Sequence, residues 1–385
     1  MKKGFNENLG QILRDAREKI GLTLQEVAKL MEFKNYQTLS SIENGTRQIK
    51  AAELAKLAKV YYKDISYFLN PQQKEHPTLI LWRSSEENEK MKVKEQEFLK
   101  YCFNYSDLEK RLGLEHKFKL LLCDADNYST EDFSFAKVHE LAKNYSDLMR
   151  LGPRPALVLQ KVLEQKHNIK IVFLELEESG SAASAIGDFG AAILINSSEA
   201  PWRRNYDLAH ELFHIITWKI FKNEKVHIIK DEKSLLEKWA DAFASNLLLP
   251  AEEVIDECKS RVQDNKISEI DLVGIAKEFG VSTQALLWRL VRLNMLSEKD
   301  VKEAIEGGMI KEADRQERTS EDWGEQPLAI SERYVNLLFK AYQKGHISRG
   351  KVAEYLNVER NQVGKKLREY GYDEEQVYER ELAVA

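Results

Sequence analysis

Asp207-Leu208-Ala209-His210-Glu211-Leu212-Phe213-His214-Ile215-Ile216 places two histidines four residues apart, with a glutamate directly after the first. On an α-helix, positions four apart lie about one turn from each other on a single face. The imidazoles of His210 and His214 can therefore close on one Zn²⁺. Glu211 points to the flank of that site, where a carboxylate can take the proton of a water that attacks a carbonyl. The competing reading is an amphipathic helix that merely carries two histidines on one face.

A zinc site of this kind needs a third protein ligand. The stretch Ser234-Leu235-Leu236-Glu237-Lys238-Trp239-Ala240-Asp241 sets Glu237 and Asp241 on one face of the next helix. Glu237 is the expected metal ligand, and Asp241 is expected to accept the spare N–H of His210. Ser234-x-x-Glu237 also reads as a capping box, so the glutamate could instead seal a helix start. His227, Asp231 and Glu232 are the fallback donors. Pro201 opens the motif helix where its missing N–H costs nothing. Upstream, Asn168–Leu174 and Ala191–Asn196 read as strands, with Ser179–Ser184 a mobile connection between them. Ile193, Leu194, Ile195 and Asn196 are expected to form an edge along which an extended peptide substrate hydrogen-bonds. Residues 131–150 read as a helix stopped by Leu151-Gly152-Pro153, and Pro155–Lys166 as another.

The N-terminal 70 residues have a different texture. They hold 12 Lys+Arg against 8 Asp+Glu in a chain whose net charge is −5. Five short helices are expected, at about 9–20, from Thr23, at 36–43, 51–60 and 65–69. Thr23-Leu24-Gln25-Glu26 is a capping box, and Asn44-Gly45 ends the third helix. A short helix, a tight turn and a second helix with exposed polar residues at its start describe a helix-turn-helix. Leu22–Ala28 followed by Leu39–Arg47 resembles the Xre/Cro-like repressor family. That resemblance implies that Asn35, Tyr36, Gln37, Thr38 and Ser41 face base edges of double-stranded DNA, while Gln25, Asn44, Thr46 and Arg47 hold phosphates. No Arg or Lys lies between Asn35 and Glu43, so affinity would rest on flanking cations.

The rest of the chain is less specific. His76–Arg83 reads as a short strand and 86–112 as a charged connecting helix, with an interdomain junction within 113–130. Ile267–Ala276 with Val281–Leu290, and Gly345–Leu356 with Glu359–Leu367, both have helix-turn-helix rhythm. In the latter, Arg349, Lys351, Arg360, Lys365, Lys366 and Arg368 could touch DNA or a partner. The simpler reading is helix pairs that pack against the rest of the chain. Gln316–Glu325 reads as a flexible linker. Cys102, Cys123 and Cys258 are scattered and unpaired in pattern, which fits reduced thiols. No apolar run approaches the roughly 20 residues needed to span a bilayer, and the first residues lack a signal-peptide core, so a cytoplasmic protein is expected.

Val138-x-x-Leu141-Ala142, Ile169-x-Ile171-Val172-Phe173, Ile193–Asn196, Asp207–Glu211 and Glu237–Pro250 follow the order seen in the ImmA/IrrE family of zinc metallopeptidases, and residues 135–300 resemble it. That resemblance implies a zincin-like domain with Zn²⁺ as cofactor, His210, His214 and Glu237 as ligands and Glu211 as general base. It also implies a protein substrate such as a repressor or antitoxin. The fold expected for the whole chain is α+β and predominantly helical. It divides into a helix-turn-helix domain (1–70), a strand and helical connector (71–130), a metallopeptidase domain with a small sheet (131–255), its trailing helices (256–315) and a C-terminal helical domain (326–385). A homodimer would match paired DNA half-sites. Two other readings stay open: a transcription factor whose zincin-like domain senses a ligand or partner without cutting, and one component of a toxin–antitoxin module.

Overall fold

The computed structural model describes residues 2–19, 22–61, 65–69, 79–82, 89–114, 133–176, 180–221, 235–264, 266–308, 310–312 and 330–374. These residues are mostly helical, with one four-stranded sheet. They form two compact units: the first holds residues 1–79, 87–107 and 187–189, the second 80–86, 108–186 and 190–385.

In the first unit the helices are α1 (Lys2–Lys19), α2 (Leu24–Leu30), α3 (Tyr36–Glu43), α4 (Ala51–Val60) and α5 (Ile65–Leu69). The helix α1 starts earlier than the sequence pattern suggests. Thr23 and Glu26 close the expected capping box on α2, and Asn35 caps α3 by accepting from the Thr38 amide. Leu13, Val27, Leu39, Ile42, Leu57 and Phe68 form the core. A buried ion pair fastens α1 to α3: Arg17 donates Nε to Glu43 Oε1 at 2.7 Å and Nη2 to Oε2 at 2.9 Å. Arg17 Nη1 also donates to the Leu22 carbonyl at 2.9 Å, so the guanidinium is spent on neighbours and not on solvent. Such a pair contributes specificity more than stability, because desolvation offsets most of its attraction.

The second unit is built round the sheet, in the order β1 (Leu79–Trp82), β3 (Ala182–Gly187), β4 (Gly190–Asn196), β2 (Lys170–Leu174). β2 and β4 are parallel and pair Lys170 with Ala192 through Leu174 with Asn196. Ala182–Ser184, expected in a mobile connection, instead lie buried in an inner strand. Alanine and serine give little hydrophobic alternation, yet their small side chains suit a strand covered on both faces. Helix α6 (Glu89–Arg111) belongs to the first unit through residue 107; the second unit continues with α7 (Phe135–Met149) and α8 (Leu159–Lys166). Next come α9 (Pro201–Ile216), α10 (Trp218–Phe221), α11 (Leu235–Leu248), α12 (Ala251–Arg261), α13 (Glu269–Glu278), α14 (Thr283–Arg292) and α15 (Glu298–Glu306). The helices α7, α9 and α11 share one core with the sheet, in which Phe133, Phe213, Phe221, Trp239 and Phe243 meet edge-on or tilted.

Three C-terminal helices complete this unit: α16 (Glu332–Gln343), α17 (Arg349–Leu356) and α18 (Val363–Glu369). Their start is joined to the sheet by an antiparallel bridge between Ile330 and Val172 on β2. Glu109 ties the junction together. Arg333 donates to it at 3.0 Å, and the fully buried Lys170 ammonium lies 3.1 Å away. The proposed junction beyond residue 114, the linker 316–325 and Cys123 lie outside the described residues.

Gly10 sits where α1 crosses α3. A methyl group there would lie 2.4 Å from the Glu43 carbonyl oxygen and 2.8 Å from that of Ile42. In an open helix, Gly→Ala stabilises by about 1 kcal/mol, but forced overpacking costs about 1–3 kcal/mol. The contact is with backbone, which cannot swing aside, so the clash outweighs the propensity gain. Gly10→Ala should therefore lower amide protection in α1 and α3, measured by hydrogen exchange. Increased protection would show that the crossing is not tight.

Candidate metal centre

Helix α9 carries His210, Glu211 and His214 within its buried stretch from Asp207 to Ile216. Pro201 stands in the first turn, as expected for a residue whose lost N–H has no intrahelical partner. Helix α11 carries Glu237 one turn before Asp241. Packing of α9 on α11 brings the two sets together. His210 Nε2 lies 3.1 Å from Glu237 Oε2, and His214 Nε2 lies 3.3 Å from Glu237 Oε1. The two imidazole Nε2 atoms are themselves 3.3 Å apart. On its far side, His210 Nδ1 is 3.0 Å from Asp241 Oδ1.

This last contact assigns the tautomer. A carboxylate only accepts, so Nδ1 carries the proton and Nε2 of neutral His210 carries a lone pair. That lone pair faces a carboxylate oxygen and a second imidazole nitrogen at hydrogen-bonding distance. Three electron-rich atoms converge on one point, an arrangement that suits a cation between them. Two imidazoles and one carboxylate form the donor set of a catalytic zinc site with an open fourth position. Ser234 lies outside the described residues, as do His227, Asp231 and Glu232, so the capping reading has no described partner.

Glu211 is almost wholly buried, and burial raises its pKa, against the opposing pull of His214, His210 and the Ser184 hydroxyl. One of its carboxylate oxygens comes within 4.8 Å of both histidines. It is therefore near enough to the two histidines to act on a group held there. Ser184, on β3, was not singled out by sequence. It has no charge and no spacing motif, and only the sheet brings it to Glu211. Tyr206 packs against the core and donates its hydroxyl to the Asp241 carbonyl at 2.9 Å, which further fixes α9 on α11.

Ile193–Asn196 do not occupy an edge. They belong to the inner strand β4, flanked by β3 and β2, and all four are buried. Asn196 is committed to loop closure. It accepts from the amides of Leu176 and Ser198 at 3.1 Å and donates to the Gly180 carbonyl at 3.2 Å. The apolar run that suggested an exposed edge reflects burial on both faces.

In the first unit, Gln25, Tyr36 and Gln37 are exposed, while Thr38 and Ser41 are half-buried. Asn35 spends its side-chain oxygen on the helix cap. Asn44 accepts from Arg14, and the Thr46 hydroxyl donates to the Ser41 carbonyl at 3.0 Å. Arg47 pairs with Glu53 at 2.7 Å and lies over the Phe33 ring, so its first role is to hold the turn after α3.

Comparison with protein-family models finds a helix-turn-helix match over residues 13–68 and an IrrE N-terminal-like domain match over residues 164–291. The chain thus carries one segment similar to helix-turn-helix domains and, further on, one similar to IrrE N-terminal-like domains. Comparison with the curated proteins and with the solved structures finds no significant match. The IrrE-like match contains β2, β3, β4, α9 and α11, and so includes His210, Glu211, His214, Glu237 and Asp241. It ends in α14 and excludes α7, although α7 packs on α11 as part of the same core.

If Asp241 fixes the His210 tautomer, Asp241→Asn should weaken zinc affinity by about 10–100-fold, the usual effect of removing such a partner. Competition with a coloured chelator measures this. Unchanged affinity would mean that His210 is oriented by the α9–α11 packing alone.

Proposed function

We propose that the second unit is a zinc-dependent endopeptidase and that the first unit binds double-stranded DNA, making the chain a bifunctional regulator. The observation that carries the peptidase reading is the lone-pair convergence of His210, His214 and Glu237 beside a buried Glu211. A purely structural zinc site closes its fourth position with another protein ligand and has no use for an adjacent base. Zinc held by these residues would supply the Lewis acidity that makes water a nucleophile at neutral pH and polarises the scissile carbonyl.

The chain's own groups supply the rest. Glu211, held in a dry pocket with a raised pKa, accepts a proton from the attacking water as the new C–O bond forms. As the C–N bond breaks, the same carboxyl returns that proton to the departing amine. Asp241 keeps His210 in the Nδ1–H form throughout, so its Nε2 stays a donor of electrons.

The DNA reading rests on the helix-turn-helix match together with the exposed α2 and α3 residues Gln25, Tyr36 and Gln37. A DNA-binding module on a peptidase chain points to a substrate that itself acts in gene control, a repressor or antitoxin-like protein with a flexible segment. No helix among the described residues is long and apolar enough to cross a membrane, which fits such a substrate.

Glu211→Gln should retain zinc at the wild-type ratio while cleavage falls by about 10²–10⁴-fold, the ordinary contribution of a positioned general base. Metal analysis and cleavage of the protein encoded beside this chain give the two readouts. A Glu211→Gln variant that cuts at the wild-type rate would remove the hydrolytic assignment and favour a sensor domain.

A further inference from the structure

The C-terminal helices repeat the helix-turn-helix pattern of two short helices joined by a short connection. Ser348 caps α17 by accepting from the Lys351 amide, and α17 ends at Asn357 in the left-handed conformation. Residues 357–359 turn the chain, and a short 3₁₀ turn (Arg360–Gln362) leads into α18. A tight turn of this length between two short helices is the helix-turn-helix arrangement. Val363, Gly364 and Leu367 form the inward face of α18. Packing there is close: a methyl group on Gly364 would lie 2.6 Å from a Glu374 carboxylate oxygen.

The outward face is cationic. Residues 344–371 hold seven Lys+Arg against three Asp+Glu, in a chain whose net charge is −5. Lys344 aside, the structure divides these cations into two groups of three. Arg349 is bound to Glu374 through two hydrogen bonds of 2.7 and 3.0 Å, Lys351 to Glu354 at 3.0 Å, and Lys366 to Glu369 at 2.7 Å. Lys351 and Lys366 also rest against the rings of Tyr355 and Tyr370. These three hold the bundle together. Arg360 and Lys365 are exposed and make no ion pair among the described residues, while Arg368 is exposed but close enough to Glu374 for its charge to help lower that carboxyl's pKa. Arg360 and Asn361 lie in the 3₁₀ turn that leads into α18, and Lys365 and Arg368, three apart, share one face of the helix.

We propose that α18 is a second DNA-binding surface, with Arg360, Lys365 and Arg368 on phosphates and Asn361 toward base edges. Charge complementarity selects a polyanion, and the helix-turn-helix geometry selects duplex DNA, whose major groove admits one helix. The two modules place their cations differently. The segment from Asn35 to Glu43 offers no cation, whereas α18 and the 3₁₀ turn before it offer three beside an amide side chain. The N-terminal module is thus suited to reading and the C-terminal one to holding. This proposal does not depend on DNA binding by residues 1–70.

The test uses the full chain and a 40-base-pair (about four helical turns) mixed-sequence duplex, with binding followed by fluorescence anisotropy across a series of NaCl concentrations. Arg360→Glu/Lys365→Glu/Arg368→Glu should lower affinity at least tenfold at low salt. It should also flatten log K against log salt by about 2–3, since each phosphate contact contributes about 0.9. Arg360→Ala/Lys365→Ala/Arg368→Ala gives the same readout without reversed charge, should the first variant fold poorly. Gln25→Glu/Gln37→Glu blocks the N-terminal face by repulsion and should leave binding that the α18 variants abolish. Loss of all binding in Gln25→Glu/Gln37→Glu alone, or unchanged affinity and slope in the folded α18 variants, would overturn the proposal and leave α18 as a protein-facing or purely packing helix. Binding that survives Gln25→Glu/Gln37→Glu in full but is lost on changing α18 would support it, while removing the DNA role proposed for residues 1–70.

Discussion

The second unit depends on one interaction, the contact of His210 Nδ1 with Asp241 across the α9–α11 interface. This contact decides which ring nitrogen keeps its lone pair. It thereby turns two helices packed through Leu212, Phe213, Ala240 and Phe243 into a site that presents electron pairs to a common point. Burial raises the stakes. His210 is fully buried and His214 nearly so, and an imidazole lone pair facing a carboxylate in low dielectric is costly without a cation. The apolar core supplies the free energy that holds the donors together, and metal binding relieves the electrostatic cost.

The same economy recurs elsewhere in the chain. Glu43 fastens α1 to α3 through Arg17, and Glu109 joins the C-terminal helices to the sheet through Lys170 and Arg333. In each case a buried carboxylate meets cations from separate elements. Ion pairs of this kind set register and orientation more than they add stability. Arg47, Arg349 and Lys366 are cations by sequence but internal ties by structure.

Short-range spacing was legible in the sequence. His210 and His214, Glu237 and Asp241, Thr23 and Glu26, and the bounds of α3, α4 and α5 all follow from helix periodicity or capping chemistry, which a linear reading captures. Long-range pairing was not. The strand β3 is hidden because alanine and serine show no alternation, and its absence from the reading made β4 look like an edge. Asn196 resembled a substrate contact because nothing local reveals that its amide closes a loop from Leu176 to Gly180. Glu43 and Glu109 carry no motif at all, and only the assembled fold shows that they are buried.

The most direct measurement is X-ray absorption at the zinc edge on full-length protein loaded with one zinc. The account predicts a shell of nitrogen and oxygen at about 2.0–2.1 Å with the outer scattering of two imidazoles, and the loss of one oxygen from that shell in Glu237→Gln. Sulfur scattering at about 2.3 Å, fewer than two imidazoles, or a spectrum unaltered by Glu237→Gln would contradict it.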